Sequence, residues 1–161
     1  MFIPYENLPS TAKVWIYASE RPFTATEVTE IDNKLHAFVD NWQSHQMPVR
    51  GYGKVLENQF IVLLADDSQI AVGGCSIDSS MQVIRDIAAI YQTDLFDRMR
   101  VYFKNSAEQI EFCTIQELKT KVQQGEITNE TIVFNPAIAV KANLDLNWQA
   151  PFSQSQWYKL V

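Results

Sequence analysis

Phe60-Ile61-Val62-Leu63-Leu64-Ala65 is the longest apolar run in the chain, and it limits the folds open to everything around it. Successive side chains of a strand point to opposite faces, so a sheet with one wet face alternates apolar and polar residues. This run does not alternate, and neither does Val14-Trp15-Ile16-Tyr17. Two such strands predict a sheet that must be covered on both faces, because a monomer tolerates an exposed apolar patch of only roughly a few hundred Å².

The rest of the composition allows such a core. Hydrophobic residues make up 47% of the 161 positions and charged residues 20%, which excludes disorder as the overall state. A chain of this length buries roughly two thirds of its unfolded surface. With 13 Lys+Arg against 19 Asp+Glu, a formal net charge of −6 and a pI near 4.8, no nucleic acid or anionic membrane is expected as partner. Met1-Phe2-Ile3-Pro4-Tyr5-Glu6 has no basic region ahead of an apolar one, so no secretory signal is read there. No window approaches the ~18 apolar residues of a membrane span. Cys75 and Cys113 stand without CxxC or CxxH spacing and read as free thiols, which makes the cytoplasm the expected compartment.

Along the chain, Lys13–Ala18 predicts a first strand. Thr24-Ala25-Thr26-Glu27 is a capping-box pattern, and the helix behind it carries Val28, Ile31, Leu35, Phe38 and Trp42 on one stripe, ending near His45. Asn58–Ala65 and Gln69–Gly73, separated by Asp66-Asp67-Ser68, predict an antiparallel hairpin. A second helix is expected from about Asp78 to Tyr91, with Met81, Ile84, Ile87, Ala88 and Tyr91 on one face. Arg100–Lys104 and Gln109–Cys113 predict another hairpin around Asn105-Ser106-Ala107-Glu108. Thr114-Ile115-Gln116-Glu117 then caps a short helix that Gly125 stops, and Thr131–Phe134 is the last strand.

The expected fold class is α+β. A ferredoxin-like βαββαβ core over residues 13–104 carries both long helices on one sheet face. A C-terminal β-α-β extension with an irregular tail over residues 105–161 packs on it, all within one domain, 1–161. The helices leave Trp15, Tyr17 and alternate residues of Phe60–Leu64 for the other face. The tail from Asn135 to Val161, with Trp148, Phe152, Trp157 and Tyr158, is expected to cover that face, a second copy of the chain being the alternative.

The chemistry is concentrated in Gly73-Gly74-Cys75-Ser76-Ile77-Asp78-Ser79-Ser80, which reads as a strand running into a helix start. Free N–H groups and the positive end of the helix dipole converge at such a junction. The ligand-binding candidates are therefore Gly74, Cys75, Ser76, Asp78, Ser79 and Ser80, with the serine hydroxyls and nearby N–H groups as donors to a small anion or carboxylate. Cys75 is the one candidate nucleophile, since helix N-termini favour thiolates. The plainer assignment makes Asp78 or Ser76 an N-cap and Cys75 a small buried hydrophobe.

His36 and His45 fall on opposite sides of the predicted first helix and share no metal. A Cys75–His dyad needs the fold to bring one of them near, His36 being the conceivable one. Asp66-Asp67 is turn chemistry, and Trp15, Tyr17 and Trp42 are packing residues. The glycines at 51, 53, 73, 74 and 125 match no phosphate-loop spacing, and GxSxG, HExxH and EF-hand patterns are absent. No metal and no cofactor are expected. The reading is a non-catalytic module binding a small anionic ligand or a protein partner, as monomer or homodimer. The alternative is a small enzyme using Cys75 at the helix mouth.

Lys13-Val14-Trp15-Ile16-Tyr17, Gly74-Cys75-Ser76-Ile77-Asp78-Ser79-Ser80 and Asn129-Glu130-Thr131-Ile132-Val133-Phe134-Asn135 together resemble a family of small uncharacterised bacterial proteins of about this length, over essentially the whole chain. Some members carry an "ABC transporter ATPase" label. This chain departs from such ATPases in each necessary part, having no Walker A glycines and lysine, no Walker B acid and no signature motif. The resemblance implies a bacterial protein and brings no activity with it.

Overall fold

Lys13–Ala18 forms β1, as its β-branched and aromatic residues predict, in a computed structural model that describes all 161 residues. The chain is a mixed α+β protein whose sheets are antiparallel. It divides into two compact units, residues 1–96 with 137–144 and residues 97–136 with 145–161. No helix is long and apolar enough to cross a membrane.

In the first unit, α1 (Ala25–Asp40) opens on the predicted capping box. Thr24 Oγ1 accepts from the Glu27 N–H at 3.2 Å, and the Glu27 carboxylate accepts from the Thr24 N–H at 3.0 Å. Arg21 grips both oxygens of that carboxylate at 2.9 Å and donates to the Tyr91 carbonyl at 2.6 Å. One guanidinium thus joins the start of α1 to the residue that ends the second long helix.

Helix α1 ends at Asp40, short of His45. His45 and Gln46 take φ values of 51° and 64°, which no right-handed helix accommodates. They form instead the turn between two short strands, β2 (Gln43–Ser44) and β3 (Met47–Pro48). The two histidines are therefore not on one helix.

The next hairpin differs from expectation. Its strands are β4 (Arg50–Leu56) and β5 (Phe60–Asp66), joined through Glu57 and Asn58 at φ 53° and 55°. Asp66 closes β5 by accepting from the Ser68 N–H at 3.0 Å and hydroxyl at 2.6 Å, and Gln69–Gly73 forms no strand. The pairing of Asn58–Ala65 with Gln69–Gly73 is thus corrected. The stretch through Gly51 and Gly53 looks like a loop by residue type but is a strand by geometry. A Cβ on Gly51 would stand 2.9 Å from the Leu64 carbonyl oxygen and 3.2 Å from Val39, and one on Gly53 would stand 3.1 Å from Leu35. Glycine is the residue that lets α1 lie this close to β4.

The sheet order is β1-β5-β4, with Leu63 opposite Trp15 on one side and Gly53 on the other. The second long helix, α2 (Gly74–Ile90), lies on the same face as α1. Ile31, Leu35 and Val39 of α1 and Ile84 and Ile87 of α2 pack with Tyr17, Val55, Ile61, Leu63 and Ala65. Both helices on one face is as expected, but Trp15 and Tyr17 point toward them, not away. The other face carries Val14, Ile16, Phe60, Val62 and Leu64, each at most 4% exposed.

Arg100–Lys104 does not join this sheet, so the βαββαβ core over 13–104 is not completed. The outer edge of β1 is met instead by the chain near Ala139. The Val14 N–H donates to the Ala139 carbonyl at 3.0 Å, and Lys141 N–H to the Ala12 carbonyl at 2.9 Å.

The second unit holds a sheet of order β7-β6-β8-β9: β6 (Arg100–Lys104), β7 (Ile110–Thr114), β8 (Ile132–Phe134) and β9 (Gln149–Pro151). The β6–β7 hairpin forms as predicted, and local closure through a short turn explains why β6 prefers it. Thr114 caps α3 (Ile115–Gln123) with the second capping box, and Gly125, at φ 75°, follows its end. A last helix, α4 (Lys141–Asn147), precedes β9.

The tail aromatics belong to this unit. Phe152 is buried with Val101, Phe103, Cys113, Leu118 and Val133, and Trp157 packs against the same cluster. Trp148 stands edge-on to Phe134 at 5.3 Å and Tyr158 to Phe152 at 5.5 Å. Residues 137–144, in contrast, join the first unit and do so along the edge of β1.

Two outcomes follow from these contacts. Gly51→Ala meets rigid backbone and should lower the urea midpoint by more than Gly53→Ala, which meets side chains, with losses of about 1–3 kcal/mol each. The Glu27 carboxyl is held down at about 2 from its usual 4.5, first by the Arg21 hydrogen bonds and then by the Thr24 N–H. A lowered carboxylate stabilises the fold above its unfolded-state pKa and loses that contribution as pH falls through the folded one. Thermal stability should therefore drop between pH 4.5 and about 2, and Glu27→Gln should flatten that drop.

Candidate functional site

Helix α2 begins at Gly74, four residues ahead of the predicted Asp78. Gly73 is the N-cap, with φ −80° and ψ 175°, and no side chain caps the helix. Asp78 and Ser76 are thus not caps. Asp78 lies beyond the first turn, which holds no acidic residue.

The mouth of the helix is fastened to the β2–β3 hairpin. Ser76 Oγ donates to the Gln43 carbonyl at 2.8 Å, and the Trp42 indole N–H donates to the Ser76 carbonyl at 2.9 Å. Ser44 Oγ donates to the Ala71 carbonyl at 2.6 Å and accepts from the Gly73 N–H at 3.3 Å. Two small hydroxyls and one indole therefore set the angle at which the chain enters α2.

These bonds change the roles of the predicted site residues. Ser79 Oγ donates to the Ser76 carbonyl at 2.8 Å and Ser80 Oγ to the Ile77 carbonyl at 2.6 Å, a back-bonding habit of serine within helices. All three serine hydroxyls thus give their proton to main-chain oxygens. Ser76 and Ser80 are buried, whereas Gly74, Cys75, Asp78 and Ser79 are exposed. What faces outward at the mouth is the backbone of Gly74 and Cys75 together with the Cys75 thiol.

The two cysteines differ in kind. Cys113 is buried in the second unit, and burial pushes its thiol up to about 11. Cys75 is a free thiol at the exposed start of α2. The histidine beside the mouth is His45, whose Nε2 lies 3.4 Å from where a Cβ would stand on Gly73. His36 is held elsewhere, stacked on Phe2 at 3.9 Å and 3° and 3.5 Å from Asp40. A His36–Cys75 pairing is therefore not formed. Nowhere do three His, Cys, Asp or Glu side chains converge in a metal-binding group. Asp66 belongs to its turn: burial works to raise its carboxyl, but the Ser68 bonds and Arg50 hold it below the usual range.

Sequence reasoning missed two concavities. One, of about 240 Å³, runs between α1 and the outer edge of β4 past Phe2, Asp32, His36, Tyr52 and Gly53. The other, of about 520 Å³, lies in the second unit between Phe112 of β7 and Gln116 and Thr120 of α3, with Gln124 just past the helix end. The signal for the first was the period-two spacing of Gly51, Gly53 and Val55, which marks a strand. The family models, curated proteins and solved structures compared with this chain yield no match.

The Ser76 hydroxyl gives this region its test. Ser76→Ala leaves the Gln43 carbonyl without its donor and should cost about 1–3 kcal/mol in chemical unfolding. Ser79→Ala, an exposed change within one helix, should stay within about 0.5 kcal/mol of the parent.

Proposed function

We propose that this chain is a non-catalytic binding module that takes a small anionic ligand at the N-terminus of α2. The observation that carries the reading is the uncapped start of that helix, with Gly74 and Cys75 exposed and no acid in the first turn. The leading N–H groups of a helix have no acceptor within it, and the helix dipole places partial positive charge there. Gly74 and Cys75 supply the main-chain donors, Asp78 and Ser79 form the rim, and Ser76 and Ser80 hold the shape from inside. A protein partner presenting a carboxylate meets the same chemistry.

Reactive use of Cys75 needs a base, and His36 is held elsewhere, on Phe2 and beside Asp40, which favours binding over catalysis. A second reading, a small enzyme using Cys75 as nucleophile, draws on the exposure of that thiol at a helix start and on His45 beside Gly73.

The order β1-β5-β4, in which β5 is inserted between the strands that flank α1, supports a ferredoxin-like reading of the first unit. The chain near Ala139 then stands where the sixth element would lie. The bacterial-family resemblance and a cytoplasmic setting, as monomer or homodimer, belong to the same proposal. Two unpaired cysteines and an acidic surface support them.

Amide NMR during a titration with inorganic phosphate tests the reading. The Gly74 and Cys75 resonances are expected to move saturably, and unmoved resonances there would overturn it. Iodoacetamide separates the two readings: Cys75 should alkylate at the rate of glutathione, whereas a rate more than about tenfold higher assigns the thiol to catalysis.

A further inference from the structure

The outer edge of β4 is closed at two points and open at one. The Gly51 N–H donates to the Met1 carbonyl at 3.0 Å, and the Ile3 N–H donates to the Gly51 carbonyl at 2.7 Å, making a short parallel bridge. The Val55 N–H donates to Asp32 Oδ1 at 2.8 Å. Strand polar groups alternate in direction, so Gly53, midway between Gly51 and Val55, also turns its N–H and C=O outward. Those two groups have no protein partner. The bridge ends there because the chain behind Ile3 turns at Pro4 into a 3-10 helix over Tyr5–Asn7.

Gly53 is nevertheless buried, and buried backbone groups are almost always hydrogen-bonded. It lies at the floor of the groove of about 240 Å³ between α1 and β4. The walls are aromatic and of mixed charge. Phe2 stacks on His36 at 3.9 Å and meets Tyr52 at 5.3 Å, while Asp32 and Lys54 stand at the rim with opposite signs. Burial and the nearby acids Asp32 and Glu6 raise the Tyr52 phenol above its ordinary value, so it remains a neutral wall.

We infer that this groove is a second ligand site, specific for a small, neutral, planar ring that carries an N–H beside a C=O, the edge of a cyclic amide. Such an edge pairs with both outward groups of Gly53 at once, as a neighbouring strand residue would. The flat aromatic walls take its faces. A full strand does not fit, because both outward groups of Gly51 and the outward N–H of Val55 are already taken. An ion of either sign meets a like charge at Asp32 or Lys54. The volume is below the usual range for drug-sized ligands and suits a single ring.

This site is separate from the helix mouth, and its test leaves that reading untouched. Uracil is the probe, with 1,3-dimethyluracil as a match in shape that lacks the N–H groups. In amide NMR of the full chain, uracil should shift the Gly53 resonance saturably, and the dimethyl compound should bind at least about tenfold more weakly, as loss of one buried hydrogen bond implies. Asn33→Trp, an exposed change at the groove rim, should abolish the uracil shift while leaving the thermal midpoint unchanged. No saturable Gly53 shift, equal binding of the two compounds, or a shift produced by trialanine but not by uracil would each overturn the inference.

Discussion

Burial of β5 on both of its faces is the constraint on which the first unit depends. Phe60, Ile61, Leu63 and Leu64 are fully inaccessible and Val62 nearly so, and each such side chain contributes about 1.5–3 kcal/mol when taken from water. A strand with that much to lose on either side occupies the centre of its sheet. It pairs with β1 on one edge and β4 on the other, through six and seven register positions. The helices then follow the odd-numbered residues, because Leu63, Ile61 and Ala65 offer the apolar ground on which Ile31, Leu35 and Ile84 lie.

The close approach of α1 to β4 has a structural consequence. Without a Cβ at Gly51 and Gly53, helix and strand come near enough for Leu35 to rest on the backbone. Asp32, one turn earlier, reaches the Val55 N–H. The same geometry leaves the outward face of Gly53 recessed beneath α1, Phe2 and Tyr52. A buried strand edge left unpaired is uncommon, and here it follows from the turn of the chain into Tyr5–Asn7, from Asp32 on the Val55 N–H and from the glycine itself.

The helix termini show contrasting solutions to one problem. At α1 and α3 a threonine and a glutamate satisfy the leading N–H groups reciprocally, and Arg21 adds a bidentate grip at α1. At α2 the chain places Gly73 in the cap position, and its serines bond to carbonyls. The start of α2 is thus held firmly in place by Trp42, Ser44 and Ser76 while its own donors stay open.

Local rules determined much from sequence alone. Both capping boxes, β1, the stripe of α1, the β6–β7 hairpin and the stop at Gly125 were legible, because each depends on side chains within a few residues of the backbone they shape. The apolar double face of Phe60–Ala65 was legible for the same reason, and so was the placement of both helices on one side. The partners of β5 were not. Gly51 and Gly53 carry loop propensity and become strand only when α1 lies over them, a contact across the fold. The end of α1 depended on the His45–Gln46 turn, and the division of the tail on which sheet each part could join. The candidate site divided in the same way. Sequence placed a strand-to-helix turn at Gly73–Ser80 but started the helix near Asp78, not at Gly74, and only tertiary structure turned the Ser76 hydroxyl onto the Gln43 carbonyl and recessed the open edge of Gly53. A hydroxyl's direction and a strand's free edge are set by what approaches from far along the chain, and no local pattern encodes that.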